Sequence, residues 1–339
     1  MKKILIKAFL FTVFSFLIFS CSDSKEKRIV TIKDETMGTF YSVKIATEEE
    51  EFDEEKVKGQ IDSLLKNINY EMSTYIPESE ISEFNEAYDT SWFLISKDFY
   101  EVTKKALEIS RETDGYYDVT VGPLVNLWGF GPSTRDKLVP DNDEINYVKQ
   151  FVNYRLLELQ ENPYAIKKKD PRVYVDLSSI AKGFGVDEVS RLLASLGYKN
   201  HLVEIGGELR SLGTKFEEPW IVGIENPTKD NIAIKVVLEN KSIATSGDYY
   251  NYFEYKGKRY SHTINPKTGW PIENKLASVS VIEDDCMTAD AYATAIEAMG
   301  PDLGLKFARE KKLPVYLIVR DKEKFETKST KEFEKFIKK

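Results

Sequence analysis

The sequence contains very little cysteine and histidine, with two residues of each in a chain of 339. Zinc and iron–sulfur centres are built mainly from these side chains, so the composition argues against both kinds of centre. Any metal ion that the protein uses should therefore be a hard cation bound through oxygen atoms.

Blocks of basic residues are also missing from the body of the chain. Acidic residues outnumber basic ones, 56 against 48, which gives a net charge of −8. Nucleic-acid-binding domains usually show the opposite balance, so we expect no nucleic-acid partner. A hydrophobic content of 42% with 31% charged residues is typical of a soluble globular protein. The length suits one large domain or two lobes with a sizeable core.

An apolar run lies close to the N-terminus. It covers residues 8–19 after several lysines, and it is shorter than the about 20 residues that a membrane-spanning helix needs. This pattern is typical of a secretory signal peptide. The run ends at Ser20 and Cys21, and a small residue before a cysteine resembles a bacterial lipobox, whose cysteine becomes the acylated first residue.

We therefore predict a lipoprotein signal peptide over residues 1–20, a lipidated Cys21 with a polar tether over 21–28, and one folded domain over 29–339. An ordinary signal peptide and an uncleaved anchor remain the alternatives. Cys286 would then be the only other cysteine, so no disulfide can form within the processed chain.

The hydrophobic pattern predicts helices and strands in irregular order, which favours an α+β fold over a regular βαβ alternation. We expect two lobes with mixed or antiparallel sheets and packed helices. The helices are predicted at 53–69, 96–113, 185–196, 288–299 and 301–311, with a further packing helix in 322–339. The strands are predicted at 29–32, 41–46, 173–177, 201–205, 208–212, 220–224, 234–238, 242–244, 252–255, 277–282 and 314–319.

Asp290 and Thr294 are four residues apart in the predicted helix 288–299 and should share one of its faces. Asp290 is expected in the first turn, where a carboxylate is favoured. A carboxylate and a hydroxyl can form half of a Mg²⁺ coordination shell, with carbonyls, water and phosphate oxygens completing it. An aspartate that interacts with the helix dipole, beside a buried threonine, is the simpler alternative on spacing alone.

A turn of small residues connects Asp176 to Lys182 at the start of a predicted helix. Backbone N–H groups and one cation at a helix start can bind phosphate. The segment is neither a Walker loop nor a dinucleotide fingerprint, because the required glycines are absent. An ordinary strand-to-helix turn explains it equally well.

His262 lies at the end of a predicted strand, before a turn rich in proline and glycine, and is a candidate general base. The chain shows no serine nucleophile motif, so a hydrolase triad has little support. His201 precedes an apolar strand and is interpreted as structural. Several aromatic residues in loop-like contexts suit either stacking on a flat heterocycle or core packing: Tyr75, Tyr116, Tyr117, Trp128 and Phe130.

Eight short motifs follow one another between about residues 30 and 300. They are Met37-Gly38-Thr39 and the segments at 72–82, 114–124, 175–183, 204–208, 244–248, 262–269 and 288–295. None is decisive alone, but their order is specific. Together they resemble the FAD:protein FMN transferase (ApbE-type) family of bacterial lipoproteins, over nearly the whole chain after the signal segment.

The resemblance implies an α+β flavin transferase domain with FAD in a cleft and Mg²⁺ at its pyrophosphate. FMN would pass to a Thr or Ser hydroxyl of a target protein, and AMP would leave. His262 would be the base. Mg²⁺ would be bound by Asp290 and Thr294, with backbone carbonyls near Ser179 and Ala293. FAD would be held by Met37, Tyr75, Tyr116, Tyr117, Asp118, Asp176, Lys182 and the segment around Ile264.

The resemblance also implies partners and a location. The acceptor would be a subunit of a membrane redox complex, and the protein would be exported and lipid-anchored at the periplasmic side of the inner membrane. Two other functions stay open: a metal-dependent FAD pyrophosphatase that yields FMN and AMP, and a lipid-tethered ligand-binding protein without catalysis.

Overall fold

The computed structural model describes residues 26–132, 139–228, 231–247, 252–273, 275–322 and 324–338. The signal peptide, Cys21 and most of the tether lie outside the described residues, so the predictions for them stay predictions. The domain predicted from residue 29 begins with a strand at Arg28.

Helices and strands alternate irregularly along the chain. The helices are α1 (Glu54–Met72), α2 (Glu80–Glu86), α3 (Lys97–Glu112), α4 (Gly122–Leu127), α5 (Asn142–Lys149), α6 (Ala181–Ser195), α7 (Cys286–Met299) and α8 (Pro301–Lys311). The strands are β1 (Arg28–Thr36), β2 (Thr39–Thr47), β3 (Phe93–Leu94), β4 (Leu157–Gln160), β5 (Ala165–Lys168), β6 (His201–Ile205), β7 (Glu208–Leu212), β8 (Trp220–Glu225), β9 (Ile232–Leu238), β10 (Ser242–Gly247), β11 (Tyr252–Tyr255), β12 (Lys258–Ser261), β13 (Leu276–Glu283), β14 (Val315–Asp321) and β15 (Lys324–Ser329).

One eight-stranded sheet forms the centre of the molecule, in the order β1-β2-β6-β7-β10-β13-β14-β15. Three smaller sheets accompany it, with orders β3-β5-β4, β8-β9 and β11-β12. Within the described residues, all strand pairs are antiparallel. The predicted α+β class, with antiparallel sheets and packed helices, is confirmed.

The central sheet is covered on both faces, so its inner strands β6, β13 and β14 are buried almost continuously. In β6, Val203 and Ile205 pack in a core with the helices α1, α6 and α7. Leu202 points the other way and packs with the β8–β9 sheet around Trp220 and Val222. This arrangement fixes α6 and α7 side by side on one face of the sheet.

Local sequence signals explain several element boundaries. The Ser96 hydroxyl accepts from the Phe99 N–H at 3.2 Å and caps α3. Gly206 and Gly207 have φ of +61° and +103°, which a side chain would disfavour, and they form the tight turn between β6 and β7. The β1–β2 turn likewise places Met37 and Gly38 at positive φ.

Two predicted helix starts are wrong by a few residues. α6 begins at Ala181 instead of 185, and α7 begins at Cys286 instead of 288. Asp285 caps α7 by accepting from the Thr288 N–H at 2.8 Å. Asp290 therefore lies in the second turn and not in the first, so its position owes nothing to a helix N-terminus.

Two other predicted elements are absent from the described residues. Residues 173–177 form no strand, because the side chain of Asn85 binds both the N–H (2.7 Å) and the carbonyl (2.8 Å) of Val175 where a strand partner would be. The C-terminal residues form β15 and a 3₁₀ turn at Phe333–Phe336 in place of the predicted helix. Phe333 is fully buried, so the prediction that this segment packs against the core is confirmed, whereas the predicted helix is wrong.

None of the helices in the described ranges is long and apolar enough to cross a membrane.

Candidate active site

A cleft of about 2050 Å³ opens beside the central sheet. It brings together almost all the side chains that the sequence singled out. Those that line it are Met37, Tyr75, Tyr116, Tyr117, Asp118, Phe130, Asp176, Ser179, Lys182, His262, Ile264, Asp290 and Thr294. Ala293 does not line the cleft and is fully buried. The cleft is larger than the roughly 300–1,000 Å³ of a typical small-molecule site and has room for an extended ligand.

Lys182 lies between two buried carboxylates at one wall of the cleft. Its Nζ is 3.3 Å from Glu208 Oε1 and 3.9 Å from Asp290 Oδ2. The Gly183 N–H donates to the same Asp290 oxygen at 3.1 Å. Asp290 and Glu208 are 3% and 4% exposed, so they are largely withdrawn from water.

Burial and mutual attraction set the charges of this group. Burial alone would lower the pKa of Lys182, but attraction to Asp290 and Glu208 outweighs it and raises that pKa. Burial raises the pKa of Glu208 to about 8 and also raises the pKa of Asp290, although Lys182 opposes both shifts. Two carboxylates thus share one ammonium, an arrangement that a further cation would stabilise.

Four hydroxyl groups line the cleft in two hydrogen-bonded pairs. Thr294 Oγ1 is 3.4 Å from Ser246 Oγ, and the Ser179 hydroxyl donates to the Tyr117 hydroxyl at 3.1 Å. Within the described ranges, no cluster of three or more His, Cys, Asp or Glu side chains could hold a metal ion by itself. One carboxylate with neutral oxygen donors fits Mg²⁺, which usually keeps several waters and binds through substrate phosphates.

Contacts between α6 and α7 fix the distance from Lys182 to Asp290. The Asp187 carboxylate on α6 accepts from the N–H groups of Cys286 (2.9 Å) and Met287 (3.0 Å) at the start of α7. A Cβ at Gly183 would collide with the Cys286 carbonyl oxygen, so only glycine permits this approach. The two helices are therefore locked together at the point where they supply the site.

His262 follows β12 and reaches the cleft beside an aromatic ring. Its ring is 6.4 Å from that of Phe130, in an edge-on arrangement. The next residue, Thr263, donates its hydroxyl to Glu297 Oε2 at 3.0 Å. Glu297 is on α7, seven residues after Asp290, so one helix supports both the acidic wall and the histidine segment.

Sequence comparisons identify the family of this chain. The sequence model of the ApbE family matches residues 37–317 of the chain. This chain belongs to the ApbE family. The Vibrio cholerae FAD:protein FMN transferase is 41% identical over 326 residues, which cover 95% of this chain and 96% of the relative. The Haemophilus influenzae FAD:protein FMN transferase is 40% identical and covers 99% of this chain and 98% of its own length.

Solved structures of the ApbE family have the same fold. The flavin transferase ApbE of Vibrio cholerae superimposes with a TM-score of 0.85 at 39% identity, over 92% of this chain and 100% of the solved chain. The ApbE protein of Thermotoga maritima gives 0.83 at 28% identity, over 92% and 100%. The cleft therefore lies in a fold that is shared across this family.

The predicted flavin-binding residues of this ApbE-family protein have different surroundings. Tyr75 is 63% exposed and donates its hydroxyl to the Phe130 carbonyl at 3.3 Å. Tyr116 lies under the Lys267 ammonium, 4.5 Å from the ring centre to Nζ. Tyr117 is only 2% exposed, so it can offer the cleft little of its ring.

Trp128 and Asp118 are both buried and take part in hydrogen bonds within the fold. Trp128 is fully buried and donates its indole N–H to the Gly269 carbonyl at 2.9 Å. The Asp118 carboxylate accepts from the N–H groups of Thr120 and Tyr154, both at 2.9 Å. Asp118 thus holds the shape of the tyrosine segment, and its role toward FAD stays a prediction.

The remaining predicted residues are held by short-range contacts. Asp176 accepts from the Ser178 N–H at 2.9 Å, which shapes the turn toward Lys182. Met37 lies at the β1–β2 turn and packs toward α6 near Gly185. Ile264 is buried at 5% exposure.

Glu208 and Glu297 also line the cleft, although no sequence motif predicts a role for either side chain. The glycine pair immediately before Glu208 was the available signal, because such a turn brings the next side chain close to its neighbours. His201 was correctly interpreted as structural: it is fully buried, with Nδ1 2.7 Å from the Tyr198 carbonyl and Nε2 2.7 Å from Ser190 Oγ.

Proposed function

We propose that this protein transfers the FMN part of FAD to a Thr or Ser hydroxyl of a target protein and releases AMP. The observation that carries the proposal is the convergence of Lys182, Asp290, Thr294 and His262 on one large cleft in an ApbE-family fold. Curated relatives at about 40% identity carry the name FAD:protein FMN transferase.

The reaction replaces one phosphorus–oxygen bond by another. The acceptor hydroxyl oxygen bonds to the phosphorus of the FMN part, the pyrophosphate bridge breaks, and AMP takes the bridging oxygen. Catalysis of such a step is mostly positioning and stabilisation of negative charge. Lys182 contributes a fixed positive charge, because its two carboxylate neighbours keep it protonated.

His262 has the chemistry to accept the proton that the acceptor hydroxyl loses. Its imidazole lines the cleft on the segment that Thr263 and Glu297 hold in place. Asp290 and Thr294, with Ser179 nearby, would hold Mg²⁺, which when bound neutralises charge on the diphosphate. The aromatic and apolar residues Tyr75, Met37 and Ile264 provide surface for the flavin part of the substrate.

We also propose that the acceptor is a subunit of a membrane redox complex, and that Cys21 anchors the protein at the periplasmic side of the inner membrane. The support is the sequence pattern before Cys21 and the short polar segment that leads into β1. Substitution Cys21→Ala should abolish incorporation of labelled palmitate into the protein. Labelling that persists in the variant would contradict the lipid anchor at Cys21.

The transfer itself is tested with purified protein, FAD, Mg²⁺ and a candidate acceptor domain. We expect flavin fluorescence on the acceptor after denaturing electrophoresis, and none when EDTA removes the divalent cation. Rapid release of free FMN without labelled acceptor would instead support the pyrophosphatase. Binding of FAD without any AMP would support the non-catalytic alternative.

A further inference from the structure

Glu208 is a buried carboxylate that the proposed reaction does not use directly. It is 4% exposed, and in the described part of the chain its Oε2 has no hydrogen-bond partner. Oε1 is 3.3 Å from Lys182 Nζ. A buried carboxylate oxygen without a partner is costly, so its retention at the cleft calls for a reason beyond packing.

The turn before Glu208 is built closely around this ion pair. A Cβ at Gly206 would lie 2.9 Å from Thr39 Cγ2 and 3.4 Å from both Glu208 Oε2 and Lys182 Cδ. Larger residues at this position would therefore press on both partners. The backbone of the β6–β7 turn thus fixes where the Glu208 carboxylate meets the ammonium.

Lys182 has two carboxylates within reach and lies closer to Glu208. Its Nζ is 3.3 Å from Glu208 and 3.9 Å from Asp290. The Glu208 carboxylate is within hydrogen-bonding distance of the ammonium, whereas Asp290 attracts it from slightly farther away. Without Glu208, the only carboxylate partner of Lys182 among the described residues would be Asp290, and the ammonium would occupy the oxygens that a divalent cation requires.

We propose that Glu208 is a positioning residue that keeps Lys182 from closing onto Asp290, so that Asp290 stays available to a divalent cation. This inference rests on the proposed function, because that function assigns the cation to Asp290. It concerns the binding of the cation alone, which can be measured without FAD, acceptor or turnover.

The test measures Mn²⁺ binding to the full chain, with free Mn²⁺ followed by electron paramagnetic resonance. We expect Glu208→Gln to raise the Mn²⁺ dissociation constant at least tenfold. In a Lys182→Met background, where no ammonium competes, we expect the same change at Glu208 to shift the constant less than threefold. A double-mutant cycle of this kind isolates the action of Glu208 through Lys182.

Equal losses in the two backgrounds would overturn the proposal, because Glu208 would then act on the cation directly. No loss in either background would also overturn it. Absence of Mn²⁺ binding to the wild-type protein would overturn this proposal, which concerns the cation bound without FAD, whereas the transfer reaction has its own assay.

Two variants control for charge and folding. Glu239 is exposed at the end of β9 and does not line the cleft. We expect Glu239→Gln to change Mn²⁺ affinity less than threefold. Glu208→Asp keeps the charge but draws it back by one methylene. It should weaken Mn²⁺ binding at least threefold, and wild-type affinity in that variant would contradict the proposal if Glu208→Gln does not fold.

Discussion

Substitution of Asp290 by asparagine separates the catalytic role of this carboxylate from its structural role. Asparagine has almost the same shape and can still accept the 3.1 Å hydrogen bond from the Gly183 N–H. Lys182 keeps Glu208 as a partner. What the variant loses is the negative charge that the proposed Mg²⁺ requires.

The expected effect on transfer is large. Removal of one preorganised charge-stabilising group typically lowers kcat by about 10²–10³, or about 3–4 kcal/mol. We expect a loss of about this size in the rate of acceptor labelling by Asp290→Asn, measured by flavin fluorescence on denaturing gels.

In the absence of metal, we expect Asp290→Asn to cause no loss of stability. Burial raises the pKa of Asp290, which means that its charged form is costly in the metal-free protein. The melting temperature of Asp290→Asn in EDTA should therefore be no lower than that of the wild type. Saturating Mg²⁺ at about 100 times its dissociation constant should stabilise the wild type by about 2.7 kcal/mol, a rise of several degrees, and should leave the variant unchanged.

Calorimetry with and without Mg²⁺ tests both statements together. A variant that labels acceptor at the wild-type rate, or whose melting temperature still rises with Mg²⁺, would refute the assignment of the cation to Asp290.

Three further predictions, one of them with a control variant, test other parts of the account. Gly183→Ala should lower the unfolding free energy by about 1–3 kcal/mol in a denaturant titration and abolish transfer, because its Cβ collides with the Cys286 carbonyl. Gly59→Ala in α1 is the control, because a Cβ there has nothing within 4 Å. It should be neutral or stabilise the protein by up to about 1 kcal/mol in the same titration. Tyr75→Ala should raise the KM for FAD about tenfold with little change in melting temperature, because the exposed ring is free to stack on the substrate; an unchanged KM would remove it from the site. Burial lowers the pKa of His201 to about 4 from 6.5. As the pH falls, the unfolded chain therefore binds a proton at this histidine before the folded chain does. The wild type should lose about 3 kcal/mol from this group between pH 6.5 and 4, and none above pH 6.5. The unfolding free energy of His201→Gln, measured by titration at each pH, should not show that loss. The same pH dependence in the wild type and the variant would contradict this prediction.

Much of the fold follows from patterns that are local in sequence. The Ser96 cap, the glycine turn before Glu208 and the period of apolar residues in α1 each specify their element through neighbouring residues. The same holds for Asp290 and Thr294, whose shared face needs only the spacing of one helix.

Other features depend on partners far away along the chain. Residues 173–177 have the composition of a strand, but the Asn85 side chain provides the hydrogen bonds from 90 positions away. The apolar spacing at the C-terminus fits a helix, yet β14 offers a free edge to which β15 pairs. No local pattern contains either partner, so neither outcome could be predicted.

The candidate site is also predictable only in part from local sequence. The motifs identified the residues that line the cleft, but not which carboxylate Lys182 approaches more closely. That depends on the packing of α6 against α7 and on the β6–β7 turn. The contact between Glu208 and Lys182 is therefore visible only in the folded structure.

The most direct test of transfer is the ratio of AMP released to flavin covalently bound to the acceptor, measured by chromatography and intact-protein mass spectrometry. Transfer predicts one AMP for each acceptor that gains one FMN with loss of one water, at a Thr or Ser residue. Release of AMP with an equal amount of free FMN and an unmodified acceptor would contradict it.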